Sequence, residues 1–298
     1  MAEEAVSIGN EIKTVGVVGA GTMGSGIAHV FARARFGVLL CDVDQRFLDR
    51  AVGLIRKNLG REAAKGKLAD AEIEPVMARI KTTIKRDVLG AAQFAVEAAS
   101  ERFDVKAEIF RTLDRILPQS AVLATNTSSI SIAKLAAETR RPAQIIGMHF
   151  FNPVPVMELV EVVRGPATSD ETFQVVAALA VRLAKTPVVV NDAPGFVSNR
   201  VLMPLINEAA FAVMEGVATP EAVDQIFKLG MAHPMGPLTL ADLIGLDVCV
   251  DIMRGLQEGL ADPKYRPCPL LVEMVEAGAL GRKSGRGFYM YQNSVAIL

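Results

Sequence analysis

Short runs of apolar, often β-branched residues alternate along the first 190 residues with longer stretches whose apolar positions recur at helical spacing. The runs are apolar throughout rather than at every second position, which is typical of parallel strands buried on both faces. Alternation of such strands with helices favours an α/β fold with a doubly wound, mainly parallel sheet. The predicted strands are Thr14–Val18, Val38–Asp42, Phe94–Glu97, Val122–Thr125, Ile145–Met148, Leu159–Val163 and Pro187–Val190.

Two parts of the chain depart from this alternation. Residues 44–80 have the pattern of two charged helices around Lys65-Gly66-Lys67, which predicts a helical excursion from the sheet. After Pro194-Gly195 nearly every segment has helical spacing, and Thr219 followed by Pro220 is typical of a helix start. We therefore predict a sheet domain over residues 1–192, with its excursion at about 44–80, followed by an all-helical domain over residues 193–298.

Composition and charge exclude several classes of function. The 298 residues carry 32 basic and 33 acidic side chains, so no excess of charge points to nucleic acid or to an anionic membrane. The three cysteines are far apart without a C-x-x-C pair, which argues against a disulfide scaffold and predicts no metal site. The N-terminus has two early glutamates and no apolar signal core, so we expect a cytoplasmic protein.

A glycine motif follows the first predicted strand directly. Gly19-Ala20-Gly21-Thr22-Met23-Gly24 has the G-x-G-x-x-G spacing, in which the glycines allow a tight turn, approach to a pyrophosphate and close helix packing. Asp42 ends the second strand, where a carboxylate accepts hydrogen bonds from ribose hydroxyls and repels a 2′-phosphate. The pattern predicts a Rossmann-type dinucleotide site that favours NAD over NADP, although the nearby Arg46 blurs that choice.

One histidine of the three lies where a catalytic base is expected. His149 follows the predicted strand Ile145–Met148, and ligands of open α/β sheets bind beyond the carboxyl ends of strands. An imidazole suits proton transfer during hydride transfer, particularly when a carboxylate orients it. Glu158 and Glu161 lie on the next strand with a spacing that puts them on opposite faces. The residues alone do not decide which of the two faces His149.

Several motifs together resemble the short-chain L-3-hydroxyacyl-CoA dehydrogenase family over nearly the whole chain. They are GAGTMGSGIA at Gly19–Ala28, TNTSSISI at Thr125–Ile132, GMHFFNPVPVMELVEV at Gly147–Val162, DAPGFVSNR at Asp192–Arg200, HPMGPLTLADLIGLD at His233–Asp247 and GRKSGRGFY at Gly281–Tyr289. The resemblance implies NAD-dependent oxidation of an (S)-3-hydroxyacyl-CoA, with 3-hydroxybutyryl-CoA the expected substrate, to the 3-ketoacyl-CoA, and the reverse reaction. The acyl chain length and the physiological direction stay open.

The resemblance also implies roles for individual residues. The family's catalytic histidine falls on His149 and its partner glutamate on Glu161, while Ser128 and Asn199 fall on the positions that contact the substrate. Ser128 would otherwise be a helix N-cap, and Asn199 an amide at a helix start.

Cofactor and coenzyme A positions are implied in the same way. Glu101 and Lys106 fall near the nicotinamide half of NAD, in addition to Gly19, Gly21, Thr22, Met23, Gly24 and Asp42; their spacing alone favours a simple ion pair at a helix start. Lys65, with Asn58 and possibly Lys67, falls on positions for the anionic end of coenzyme A. The chain departs from the family at Arg102, where asparagine is usual, and at Asn58, where some relatives have serine.

Two other functions are compatible with these motifs. A sugar-acid dehydrogenase related to L-gulonate 3-dehydrogenase would need no coenzyme A, and a catalytically silent NAD-binding protein would need no substrate. In each case we expect a homodimer formed through the C-terminal domain, because its many Leu, Met, Val and Ala residues exceed what about a hundred residues can bury alone.

Overall fold

The computed structural model describes residues 12–292 and 295–297. The chain divides into two compact units between Ala193 and Pro194. In the first unit the helices are α1 (Thr22–Arg33), α2 (Gln45–Ala64), α3 (Ile73–Ala78), α4 (Phe103–Ile116), α5 (Ile132–Ala136) and α6 (Asp170–Arg182). The strands are β1 (Thr14–Val18), β2 (Gly37–Cys41), β3 (Ile80–Thr83), β4 (Phe94–Glu97), β5 (Val122–Thr125), β6 (Ile145–Phe150), β7 (Leu159–Arg164) and β8 (Thr186–Asn191).

One sheet organises the first unit. Its strand order within the described residues is β3-β2-β1-β4-β5-β6-β7-β8. The first six strands in this order, from β3 through β1 to β6, run parallel to one another. Strand β7 is antiparallel to β6, and β8 is parallel to β7. The predicted mainly parallel, doubly wound sheet is therefore confirmed. The reversal at β7 has a local cause, because only residues 151–158 join β6 to β7 and a parallel crossover needs a dozen or more residues.

The structure differs from the predicted elements at two places that bear on the site. Strand β6 continues to Phe150, so His149 lies within the strand and not beyond it; the pairing of Phe150 with Val160 of β7 extends the ladder. Strand β3, Ile80–Thr83, begins where the predicted helical excursion ends and is not among the predicted strands. Its sequence, IKTT, has a single strongly apolar residue because it forms the edge of the sheet, so it lacks the apolar run that marks the buried strands.

The second unit is built from helices α7 (Ser198–Met214), α8 (Pro220–Gly230), α9 (Pro237–Ile244), α10 (Leu246–Leu260) and α11 (Pro269–Glu276). Thr219 caps α8 as its sequence predicts, accepting a hydrogen bond from the Ala222 amide. The helix expected over Leu238–Leu260 is two helices, because Gly245 adopts a φ of 106° that ends α9 and begins α10. A short hairpin of β9 (Met290–Gln292) and β10 (Val295–Ile297) adds strands to a unit expected to be all helical.

Two buried aspartates tie this hairpin region to the helices. Asp242, on α9, is 1% exposed and accepts hydrogen bonds from the Phe288 amide, the Tyr289 amide and the Tyr291 hydroxyl at 2.9–3.0 Å. Asp224 accepts from the Tyr289 hydroxyl and from the first amides of α9. Burial raises the pKa of Asp242. A Cβ on Gly287 would lie 1.9 Å from the Asp242 carboxylate, so the glycine is required by this contact.

We expect Asp242→Ala to lower the free energy of unfolding by about 3–5 kcal/mol, because it leaves buried donors without an acceptor. Urea denaturation followed by circular dichroism measures the change. The control is Asp251→Ala, at an exposed position on the neighbouring helix α10, which should change the free energy by about 0.5 kcal/mol or less. Equal effects of the two substitutions would show that the Asp242 contacts contribute little.

Candidate active site

The glycine motif forms a tight turn between β1 and α1. Gly19 has a φ of 102°, and a Cβ there would lie 2.5 Å from the carbonyl oxygen of Ala98. A Cβ on Gly24 would lie 1.8 Å from the carbonyl oxygen of Gly19, so the third glycine allows the helix to approach the turn. Gly21, in contrast, faces open space. The turn borders a cleft of about 640 Å³, and the amides at the start of α1 suit it to a pyrophosphate.

Asp42 lies at the edge of the same cleft, directly after β2. Its carboxylate accepts hydrogen bonds from the amides of Ala20 and Val43, both at 2.6 Å, which fixes it against the glycine turn. Arg46, the residue that blurs the cofactor choice in the sequence, pairs with Asp44 at 2.6 Å. Arg50 and Arg86 line the cleft instead. This glycine turn and carboxylate fit the pyrophosphate and adenosine ribose of a dinucleotide.

His149 and Glu161 form a hydrogen-bonded pair in the interior. Nδ1 of His149 lies 2.8 Å from Oε2 of Glu161, and the two residues are 8% and 3% exposed. The cause is strand register: His149 on β6 is directly opposite Glu161 on antiparallel β7. Residues opposite each other project to the same face, so the carboxylate meets the ring. The Phe151 ring packs against the imidazole at a centroid distance of 4.8 Å.

Glu158 lies elsewhere. It precedes β7, its side chain is exposed, and its carbonyl oxygen accepts a hydrogen bond from the Thr186 amide at 2.7 Å. The choice that the residues alone left open is therefore resolved geometrically, since of the two carboxylates the described contacts pair Glu161 with His149.

Ser128 lies in a loop after β5 that is organised by Glu101. One carboxylate oxygen, Oε1, accepts hydrogen bonds from the hydroxyls of Thr127, Ser128 and Ser129 and from the amides of Ser128 and Ser129, at 2.6–3.2 Å. Partial burial acts to raise the pKa of Glu101, but the Lys106 ammonium and the hydrogen bonds of this loop outweigh it and hold the pKa below its ordinary value.

Lys106 is buried in an ion-pair cluster of which the sequence indicated Glu101 but not Glu97. Its ammonium lies 2.8 Å from Glu97 and 3.2 Å from Glu101, and Lys106 and Glu97 are 1% and 0% exposed. Glu97 also accepts hydrogen bonds from the Thr125 hydroxyl and the Ala99 amide, each at 2.7 Å. Sequence reasoning missed Glu97, although a carboxylate at the end of an apolar strand is an available signal. A buried charge of this kind has to be paired.

Asn126 is a second residue that the sequence did not single out. It directly follows β5, and its side-chain oxygen accepts a hydrogen bond from the Phe150 amide at 2.9 Å. This contact joins the ends of β5 and β6 next to His149. Its signal in the sequence is weak, because an asparagine after a strand is typical of ordinary turns.

The remaining predicted residues lie on helices. Asn58 is half-buried on α2, and its side-chain oxygen is 3.4 Å from the Arg61 guanidinium. Lys65 is exposed at the C-cap of the same helix. Asn199 belongs to the second unit, in the first turn of α7. Its backbone N–H donates a hydrogen bond to the Gly195 carbonyl oxygen at 3.1 Å.

The described residues, 12–292 and 295–297, offer neither a metal centre nor a membrane-spanning helix. They contain no group of three or more His, Cys, Asp or Glu side chains arranged to hold a metal ion. No helix in this part of the chain is long and apolar enough to cross a membrane.

Comparison with known proteins bears directly on this site. Residues 14–193 match the family model of the 3-hydroxyacyl-CoA dehydrogenase NAD binding domain, and residues 195–291 match that of the 3-hydroxyacyl-CoA dehydrogenase C-terminal domain. The chain is 54% identical over 286 residues to a probable 3-hydroxybutyryl-CoA dehydrogenase of Bacillus subtilis, covering 96% of this chain and 100% of that protein. It is 57% identical over 276 residues to a probable 3-hydroxybutyryl-CoA dehydrogenase of Deinococcus radiodurans, covering 93% and 99%.

A solved structure agrees with these sequence matches. The (S)-3-hydroxybutyryl-CoA dehydrogenase of Ralstonia eutropha superposes with a TM-score of 0.92 at 49% identity, and the match covers 95% of this chain and 100% of that one. The chain therefore belongs to the 3-hydroxyacyl-CoA dehydrogenase family of NAD-dependent oxidoreductases, as its motifs imply.

Proposed function

We propose that this protein interconverts (S)-3-hydroxyacyl-CoA and 3-ketoacyl-CoA with NAD, and that 3-hydroxybutyryl-CoA is its substrate. The observation that carries the proposal is the buried His149–Glu161 pair, held at 2.8 Å by the register of two adjacent strands. The glycine-turn cleft that fits a dinucleotide is part of the same unit. Both the family models and the names of the most similar relatives agree with this activity.

The geometry gives His149 the part of general base. With its Nδ1–H donated to Glu161, the ring takes the proton of the substrate C3 hydroxyl at Nε2. NAD, which the glycine turn and Asp42 would hold, would supply the acceptor for the hydride from C3. Glu161 keeps the ring in this tautomer and stabilises the imidazolium that forms, which is how a carboxylate supports a catalytic histidine. In the reductive direction the same proton returns to the oxygen.

Ser128 and Asn199 complete the proposal as donors to the reacting oxygen. A hydroxyl and an amide stabilise the oxygen as it changes between alcohol and ketone. The assignment of Ser128 is supported by the loop around Glu101, whose carboxylate accepts hydrogen bonds from the backbone amides of Ser128 and Ser129 and so fixes the backbone there. The proposed role of Asn199 is based on its position in the family motif P-G-F-V-x-N-R. The resemblance implies Glu101 and Lys106 for the nicotinamide side. Glu101 binds this loop, and Lys106 forms an ion pair with Glu101.

Coenzyme A recognition is proposed for helix α2. Lys65 is exposed at its C-terminal end, and Asn58 and Arg61 lie on the preceding turns. Exposed cations suit the anionic phosphoadenosine end of coenzyme A. The proposed preference for NAD is supported by Asp42, whose carboxylate is held against the glycine turn, because a carboxylate after the second strand of such a fold binds the ribose hydroxyls and repels a 2′-phosphate.

A homodimer through the second unit is also part of the proposal. Its helix α8 and the flanking turns expose large apolar side chains, with Leu229 84% and Val217 73% exposed and Ile226 and Met231 each 56%. We propose that these side chains form one apolar cluster, which is typical of a protein interface. The cytoplasmic location stays a prediction.

The activity is tested by following NADH oxidation with acetoacetyl-CoA, free acetoacetate and a sugar acid in parallel. We expect turnover of the thioester alone. Turnover of the free acids alone would contradict the proposal and favour a sugar-acid dehydrogenase. Binding of NADH without turnover of any of the three would favour a catalytically silent binding protein.

Variants sharpen the same assay. His149→Ala should lower kcat by about a hundredfold or more while KM changes little, because a general base acts in the transition state. A wild-type kcat in His149→Ala would contradict the assigned base.

Lys65→Ala should raise KM for the thioester severalfold, whereas Lys81→Ala, at an exposed lysine on β3, should leave it unchanged.

Asp42→Ala should move the ratio of kcat/KM for NAD over NADP by about tenfold or more toward NADP. The substitution removes the repelling carboxylate and leaves Arg50 and Arg86 lining the cleft. Asp49→Ala, at an exposed aspartate on α2, is the matched control and should leave the ratio unchanged. A constant ratio in Asp42→Ala would show that cofactor choice does not depend on this residue.

Light scattering of the purified protein should give twice the chain mass of 31.9 kDa. Leu229→Glu should shift the protein toward the monomer, because it places a charge in the apolar cluster. Lys228→Glu changes the charge of the adjacent residue and serves as the control. A wild-type monomer would contradict the dimer.

A further inference from the structure

The connection between β6 and β7, residues 151–158, joins the strand of His149 to the strand of Glu161. It is packed from two directions. On one side Val154, 2% exposed, lies against α1, where a Cβ on Gly26 would come within 2.8 Å of the valine Cβ. On the other side lies the segment that links α6 to β8, which includes Lys185.

Lys185 reaches this connection with a buried ammonium group. The residue is 8% exposed, and its Nζ donates hydrogen bonds to the carbonyl oxygens of Val154 and Met157, both at 2.6 Å. The next residue, Thr186, donates its amide to the Glu158 carbonyl at 2.7 Å. Three carbonyl groups of one short connection are thus held by two consecutive residues.

The charge of Lys185 makes this arrangement specific. Burial lowers the pKa of Lys185, while Glu158 and Glu62 act to raise it and Arg33 to lower it. An ammonium in such surroundings requires strong acceptors, and the two carbonyl oxygens supply them. The lysine therefore serves as a two-point clamp on backbone atoms, which an apolar side chain of the same length cannot replace.

The clamp acts where the geometry of the catalytic pair is set. Met157 and Glu158 immediately precede β7, and their positions determine where β7 begins to pair with β6. A shift of that start would move Glu161 away from its place opposite His149, and a slip of one residue would turn it to the other face. The same connection carries Phe151, which packs on the imidazole.

We propose that Lys185 is a positioning residue: it holds the β6–β7 connection so that Glu161 stays in hydrogen-bond contact with His149. The role rests on the proposed function, since it concerns the proton transfer assigned to that pair. Lys185 itself touches backbone carbonyls and acts through the two strands.

The test compares Lys185→Met, which keeps the length but removes the donors, with Lys185→Arg, which keeps two or more donors. We expect Lys185→Met to lower kcat for acetoacetyl-CoA by about tenfold to a hundredfold, as small misplacements of catalytic groups do. The NADH dissociation constant, measured by titration, should stay within about twofold, because the glycine cleft is intact. Lys185→Arg should recover part of the kcat.

Counting active sites by NADH binding separates positioning from folding, since loss of folded protein lowers the number of sites but not kcat per site. Lys81→Met is the control and should match the wild type. A Lys185→Met protein with kcat within twofold of the wild type would overturn the proposal, as would loss of NADH binding in parallel with kcat.

If Lys185→Met does not accumulate as folded protein, Lys185→Gln replaces it, because its shorter side chain cannot span both carbonyl groups. A lowered kcat with NADH binding retained would again support the proposal, and a wild-type kcat would overturn it. Wild-type protein that fails to turn over acetoacetyl-CoA would instead refute the proposed function, and the positioning role would be refuted with it.

Discussion

The arrangement of the candidate site depends on one constraint, the antiparallel register of β6 and β7. That register places His149 opposite Glu161, so an imidazole and a carboxylate that are twelve positions apart in the chain come into contact. Every contact that fixes the two strands therefore contributes to the geometry of the pair. Asn126 joins the end of β5 to β6, and Lys185 and Thr186 hold the connection before β7.

A buried ion pair also organises the carboxyl ends of the central strands. Glu97 and Lys106 lie almost completely out of solvent, and a charge in that environment is tolerated only when it is paired and hydrogen-bonded. The pair links the ends of β4 and β5 to the start of α4 through Thr125 and Ala99. Lys106 also neutralises Glu101, which in turn organises the Ser128 loop. The ion pair, the Ser128 loop and the end of β6 thus form one polar region at the carboxyl ends of apolar strands.

The fold could be predicted from the sequence where the signal is local. Buried parallel strands have to be apolar on both faces, so β1, β4 and β5 could be placed to the residue. The glycine motif could be interpreted because a tight turn with a φ of 102° admits few other residues. The edge strand β3 could not, since IKTT lacks the apolar run that burial imposes. The strands of the hairpin β9–β10 are only three residues long each, too short for their pattern to indicate a strand.

By itself, then, the sequence determined the doubly wound sheet, the glycine turn that Asp42 lies near, the helices of the second unit and the location of His149 near a strand end. These follow from interactions between residues close together in the chain. The family resemblance implied Glu161 rather than Glu158, but only the tertiary structure gave a physical reason for that choice. It also paired Glu97 with Lys106 and brought Lys185 to the connection it holds. Each of these contacts depends on strand pairing or burial. Such interactions are set by the packing of whole elements, so their partners cannot be read from the spacing of residues along the chain.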